Sequence, residues 1–416
     1  MNHTTVMQEP QPAVTAPSRY RNWLQAIGPG MITAALVFGP SKITITSMMG
    51  ARYGYDLLWV VAVAIFFMIV FATMAARVGI ATSESLLTTI GRKWGSAVRI
   101  AIGVGVFFVC ASFQAGNSIG TGIAVGEATH TSPAIWIVVF NVLAIGMLFF
   151  RAFYNMLQKV MIGLIVLMLI AFITTFLLSK PSVSGMAEGL APTVPAGSEQ
   201  LIIAFMASCF SIVGAIYQTY LVQERKRVSP DAKQTGRETY PGMIILGLLS
   251  AIVMVCSAAV LHPKGIAVNT ATDMARALEP IFGNLASALF LSGLFGASFS
   301  SLIGNASLGG TLLGDALGYG GRLQSSMVRF FIGIIMAVGA VVAIIFGKLP
   351  LQVIVLAQAV TIFVVPFIGI ALYLIANNGE IMGHYKNSLF FRIAGAAGLI
   401  VMLLLAASNV KTLFFS

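Results

Sequence analysis

The sequence predicts an all-α integral membrane protein of eleven spans, ten of which fall into two five-helix halves. Three observations predict it. Of 416 residues, 58% are hydrophobic and only 9% charged, where a soluble domain carries about a quarter of its residues charged. Eleven stretches come close to the ~20 apolar residues that a membrane helix needs. The first and sixth of them, matching members of the two halves, are both interrupted by glycine and polar residues, which is the sequence mark of a transporter site built on inverted repeats. Such a composition excludes a soluble enzyme, a disordered chain and a nucleic-acid binder, although the net charge is +11.

Residues 1–22 are polar and contain proline, and are expected to form a flexible cytoplasmic tail ahead of a transmembrane domain over 23–416. The first apolar run, 24–52, is too long for a cleavable signal peptide and continues into a spanning pattern. With 57–76, 100–126, 134–150 and 160–179 it makes a first repeat of about 24–180. A second repeat, about 199–375, holds spans at 200–223, 242–261, 281–308, 327–347 and 351–375. One more helix follows at about 391–410. Cys110, Cys209 and Cys256 all lie inside apolar runs and offer no disulfide framework.

Lysine and arginine then set the expected orientation. With the N-terminus in the cytoplasm, the inner segments hold Arg19, Arg21, Arg77, Arg92, Lys93, Arg99, Arg151, Lys159, Arg225, Lys226, Arg227, Lys233, Arg237, Arg322, Arg329, Lys386 and Arg392. The outer segments hold six: Arg52, Lys180, Lys264, Arg276, Lys348 and Lys411. A split of 17 to 6 is a positive-inside signal, and an odd span count puts the C-terminus outside. Lys42 belongs to neither side.

Lys42 falls inside the first span, within Phe38-Gly39-Pro40-Ser41-Lys42-Ile43-Thr44. Tyr53, near the outer end, is eleven residues on, or ~16 Å along a helix, too far for easy snorkelling. An ionisable group at that depth points to a site or a pathway; a structural lysine bonded to helix-end carbonyls is the competing reading. Gly39-Pro40 cannot sustain an ordinary helix, and broken backbone at mid-membrane is tolerated only where protein or a water-filled cavity satisfies it. The half-helix from Ser41 would aim its amides and positive dipole end into that cavity, beside the hydroxyls of Ser41 and Thr44. In the sixth span, Gly214, Tyr217, Gln218 and Thr219 supply the matching candidates, with plain packing of a polar helix end as the alternative.

Gly28-Pro29-Gly30, Gly54-Tyr55-Asp56-Leu57-Leu58-Trp59, Ala76-Arg77-Val78-Gly79-Ile80-Ala81-Thr82, Ile119-Gly120-Thr121, Ser300-Ser301, Pro366 and Met382-Gly383 resemble, in order and spacing, the NRAMP divalent-metal transporters. The resemblance runs from about residue 24 to 387. It implies the LeuT-like fold: two inverted five-helix repeats plus an eleventh helix. The family's first-helix signature, Asp-Pro-Gly-Asn, is Gly39-Pro40-Ser41-Lys42 here, so only the proline survives. Its Met-Pro-His in the sixth helix is replaced in the region Ile216-Tyr217-Gln218-Thr219-Tyr220, and the third-helix acids tied to proton transfer are Gln114 and Asn117. The acids that remain, and all four histidines, fall at span ends, in loops or in the tail.

A dication ~4 Å from Lys42 would be repelled by ~8 kcal/mol at an effective dielectric of 20. The expectation is therefore a secondary transporter of a small monovalent inorganic anion, bicarbonate first, bound by Lys42, Ser41, Gly39, Pro40, Thr44, Gly214, Tyr217, Gln218 and Thr219. Gln358 is added because it resembles a family glutamine near the site. The co-ion is a proton carried on Lys42, or sodium at Ser298, Ser300 and Ser301, for which packing is the competing reading. Alternatives are a neutral solute carried with Lys42 as a tethered cation, a divalent metal on a rebuilt route, and a non-transporting sensor. No cofactor, metal site or enzymatic activity is expected, and the chain is expected to be a monomer in the bilayer.

Overall fold

The computed structural model describes residues 28–149, 153–209, 212–228, 239–268, 284–346 and 351–414, and among them every regular element is helical. The first half comprises α1 (Gly28–Val37), α2 (Pro40–Tyr53), α3 (Leu58–Ala81), α4 (Leu86–Trp94), α5 (Ser96–Thr129), α6 (Pro133–Met147), α7 (Phe153–Ser179) and the short α8 (Val183–Glu188). The second comprises α9 (Glu199–Cys209), α10 (Ile212–Val228), α11 (Thr239–Val260), α12 (Asn284–Ala316), α13 (Ser326–Phe346) and α14 (Leu351–Ala376). A short α15 (Gly379–Met382) and the final α16 (Leu389–Phe414) follow. Among the described residues, eight helices are long and apolar enough to cross a membrane, and two bent pairs raise the number to as many as ten. The remaining expected span, 134–150, is α6, apolar but only 15 residues long.

The first span is broken as its sequence requires. α1 and α2 meet at 63°. Gly39 is extended (φ −99°, ψ 178°) and Pro40 takes the first helical position of α2, where its missing N–H costs nothing and its fixed φ suits a helix start. Glycine at 39 also permits a close approach: a Cβ there would lie 2.9 Å from Ser301 Oγ and 3.2 Å from Asn117 Oδ1. Pro40 packs against Gly120 of α5.

Only part of the interruption expected in the sixth span falls among the described residues. The cluster from Gly214 to Tyr220 lies within α10, a helix continuous from Ile212 to Val228, and residues 210–211 between α9 and α10 lie outside the described residues. The polar side chains do not break the helix because they find partners on its neighbours. Thr33 of α1 donates to Gln218, whose Nε2 donates to Thr239 Oγ1 at 3.1 Å. Thr219 Oγ1 donates to the Ala75 carbonyl at 2.9 Å.

α5 and α12 run together through the centre, α2 lies along α11, and α10 lies along α3. α12 extends to Ala316, beyond its expected end at 308, and carries Asp315 into a buried position. The outward faces present large apolar side chains such as Phe149, Leu177, Ile345 and Phe367. In water that surface would be a liability; in hydrocarbon it matches its solvent.

Candidate central cavity

The break between α1 and α2 opens on a cavity of ≈ 70 Å³, room for a small ion with a few waters. Gly39, Ser41 and Lys42 line it from the break, Asn117 from α5, Ser208 from the last turn of α9 and Val213 from the first turn of α10. Ser301, Asn305 and Leu308 line it from α12, and Thr361 from α14. Lys42 is the one charged side chain among these lining residues.

Lys42 is 2% exposed. It sits in the first turn of α2, where the positive end of the helix dipole disfavours a cation. Compensation comes from α9: Lys42 Nζ donates to the Ser208 carbonyl at 3.3 Å and lies 6.0 Å from the centroid of the Phe205 ring. The ammonium thus ties the second half of the first span to the backbone of α9.

Around it, oxygen and amide groups are neutral. Asn117 Nδ2 donates to Gln114 Oε1 at 3.4 Å, Gln114 Nε2 to the Leu302 carbonyl at 2.8 Å, and Asn305 Nδ2 to the Cys110 carbonyl at 2.7 Å. This network fastens α5 to α12 behind the cavity. No cluster of three His, Cys, Asp or Glu suited to a metal ion exists among the described residues.

Of the residues expected at the site, Gly39, Ser41, Lys42 and Ser301 line the cavity, and Pro40 adjoins it at the break. Thr44 Oγ1 donates to the Pro40 carbonyl one turn back, at 3.0 Å. Gly214 and Tyr217 are buried in α10 and, with Gln218 and Thr219, are not among the lining residues. The side chain of Gln358, on α14, lies outside the described residues. Ser300 Oγ donates to the Ala35 carbonyl at 2.9 Å and Ser301 Oγ to the Leu36 carbonyl at 2.9 Å, stapling α12 to the broken end of α1. Among the described residues, the buried Ser298 Oγ has no hydrogen-bond partner.

Sequence reasoning missed Ser208, because a backbone acceptor leaves no side-chain signature. Asn305 was findable: it lies four residues after Ser301, on the same helix face. In the sequence, Asn117 stands out only as the replacement of an acid.

The family model described as natural resistance-associated macrophage protein-like (Nramp) matches residues 30–412. The divalent metal cation transporter MntH of Chromohalobacter salexigens is 27% identical over 412 residues, covering 94% of this chain and 92% of the relative. Among solved structures, a mutant of the Eremococcus coleocola manganese transporter superposes with a TM-score of 0.76 at 18% identity, covering 99% of this chain and 91% of that one. Mhp1, a nucleobase-cation-symport-1 family transporter, does so with a TM-score of 0.58 at 12% identity, covering 93% of each chain. The expected LeuT-like fold is the fold observed.

These relatives overturn the expectation of a bicarbonate or other small-anion transporter. The end-to-end relative is named a divalent metal cation transporter, and the solved structure is that of a manganese transporter. The weak step was electrostatic. One buried cation specifies an anionic substrate only if nothing else holds it, and Lys42 already has the Ser208 carbonyl and the Phe205 ring.

Proposed function

This chain belongs to the Nramp family, and from that premise we propose that it is a secondary transporter carrying a divalent metal cation by alternating access through the central cavity. The observation that carries this reading is kinship with proteins named for that activity over more than nine-tenths of both chains. We further propose that this multi-pass membrane protein has its N-terminus in the cytoplasm and its C-terminus outside, a reading supported by the 17 basic residues on one side against six on the other.

The cavity offers the Ser41, Ser301 and Thr361 hydroxyls, the Asn117 and Asn305 amide oxygens and the Ser208 carbonyl. These are hard oxygen donors of the kind that suit magnesium, calcium or manganese. The ~8 kcal/mol repulsion from a charged lysine at ~4 Å sets the condition for occupancy: the metal binds when Lys42 has given up its proton. The neutral amine then offers a lone pair in place of a charge. Metal binding and proton release become two sides of one step, so the metal and the proton are exchanged across the membrane.

Manganese uptake into proteoliposomes, followed with a trapped fluorescent chelator and a pH dye, tests this reading. Wild type takes up manganese and moves protons in the opposite direction. Lys42→Arg, whose charge is permanent, lowers uptake at least a hundredfold. Lys42→Ala retains uptake and loses the proton movement. Folded wild type and Lys42→Ala that both fail to move manganese would overturn the proposal.

The bond from Lys42 to the Ser208 carbonyl favours a second reading, in which the ammonium stands in for a coupling cation at a backbone carbonyl and the cargo is a neutral solute. Flux of a neutral solute that Lys42→Ala abolishes, with no metal flux, would decide for it.

A further inference from the structure

Asp315 is 2% exposed, in the last turn of α12, where the helix dipole disfavours an anion. Hydroxyl groups from two other helices hold it there. Tyr220 Oη, on α10, donates to Oδ2 at 2.6 Å. Ser85 Oγ, the N-cap of α4, donates to Oδ1 at 2.7 Å, and Thr88 Oγ1 reaches the same oxygen at 3.4 Å. Tyr220 Oη in turn accepts from the Leu87 amide at 3.3 Å. Of the charged groups around it, Arg99 at the start of α5 acts on the carboxylate.

The next turn of α10 repeats the pattern. Gln223 Nε2 donates to the Glu84 carbonyl at 2.8 Å, just ahead of α4. The carboxylate of Glu224, 3% exposed, accepts from Gln324 at 2.9 Å and from Arg227 at 3.2 Å. The backbone of Gly321 closes over the Tyr220 ring, so near that a Cβ there would lie 2.6 Å from it. One end of α10 lines the cavity at Val213; the other is pinned to α4 and α12 through side chains that compete poorly with water once wetted.

Position along α12 ties this cluster to the cavity. Ser301, Asn305 and Leu308 line the cavity, and Leu312 and Asp315 continue the same 3.6-residue stripe, within ~80° of arc. Asp315 lies ~10 Å beyond Leu308 along the helix, at the end of the molecule that bears Arg92, Lys93, Arg225, Lys226 and Arg322. The stripe that lines the cavity therefore ends at the Asp315 cluster.

We propose that Asp315 is a positioning residue of the transport cycle: it clamps α10 onto α4 and α12, and its release opens the cavity to the side bearing the basic loops. The proposal rests on alternating access but not on what is carried. Opening then requires at least three charge-assisted or hydroxyl bonds to break together, which makes the closed state discrete.

The test needs no cargo. In a background with Cys110, Cys209 and Cys256 changed to alanine, Leu308→Cys reports on the cavity. A membrane-impermeant maleimide is added to vesicles with the basic loops facing out. Tyr220→Phe and Asp315→Ala are expected to raise the alkylation rate at least fivefold, Ser85→Ala by less, and Asp315→Asn, which still accepts from Tyr220, by the least. Equal rates in all folded variants, with lowered melting temperatures alone, would overturn the clamp and leave Asp315 a purely structural residue. Should Asp315→Ala fail to fold, Tyr220→Phe removes one bond and makes the same distinction. A failed manganese assay leaves this measurement intact, so the two proposals stand or fall separately.

Discussion

Gly39 shows how little room the broken span leaves. Its missing side chain lets Ser301 and Asn117 approach the backbone, and a methyl group would force both to move. Gly39→Ala is expected to destabilise the protein by about 1–3 kcal/mol, the usual penalty of overpacking, and to slow transport more than it lowers the melting temperature suggests. Thermal melts in detergent beside uptake rates check this. Legibility at this scale followed the side chain. Lys42 stood out as the one basic residue belonging to neither membrane face, and Gly39-Pro40 marked the break. What neutralises Lys42 was invisible, because the Ser208 carbonyl belongs to the backbone. Asp315 was read as a span-end acid, since nothing in sequence announces that three hydroxyls from distant segments converge on it.

Helices were easy to read where they are long and apolar, and harder where function needs something else. α4 is amphipathic, nine residues long and capped by Ser85; lying between two spans, it read as loop, yet it supplies one face of the clamp. The polar run in α10 marks a limit of periodicity, which cannot distinguish polar groups that break a helix from ones that satisfy its neighbours. Ser300 and Ser301, candidates for an ion site, serve as the staple from α12 to α1. Replacing both by alanine removes two hydrogen bonds to buried carbonyls, a loss of about 1–3 kcal/mol in total. Hydrogen exchange should then rise over Gly28–Val37 and stay unchanged in α16, which lies outside the staple. Equal exchange in α1 would show that other packing holds it.

At the scale of the whole molecule, composition and charge placement were the most legible of all, because a bilayer imposes length and sign on every span. The proposed orientation has a direct test. Cysteines placed at Lys226 and Lys264, on opposite ends of the bundle, should be labelled from opposite sides of a sealed vesicle, Lys226→Cys from the cytoplasmic side. Reversed labelling would invert the topology.

α6 carries a consequence of its own for the surrounding lipid. Its 15 residues rise ~22 Å, short of a hydrocarbon core ~30 Å thick. Acyl chains beside it must compress, or headgroups must dip inward, at fractions of a kcal/mol per ångström of mismatch. The energy of that dimple belongs to the protein as much as to the membrane, and it changes whenever a conformational step tilts α6. Turnover should therefore depend on acyl-chain length, with bilayer thickness acting as a quiet regulator of the cycle.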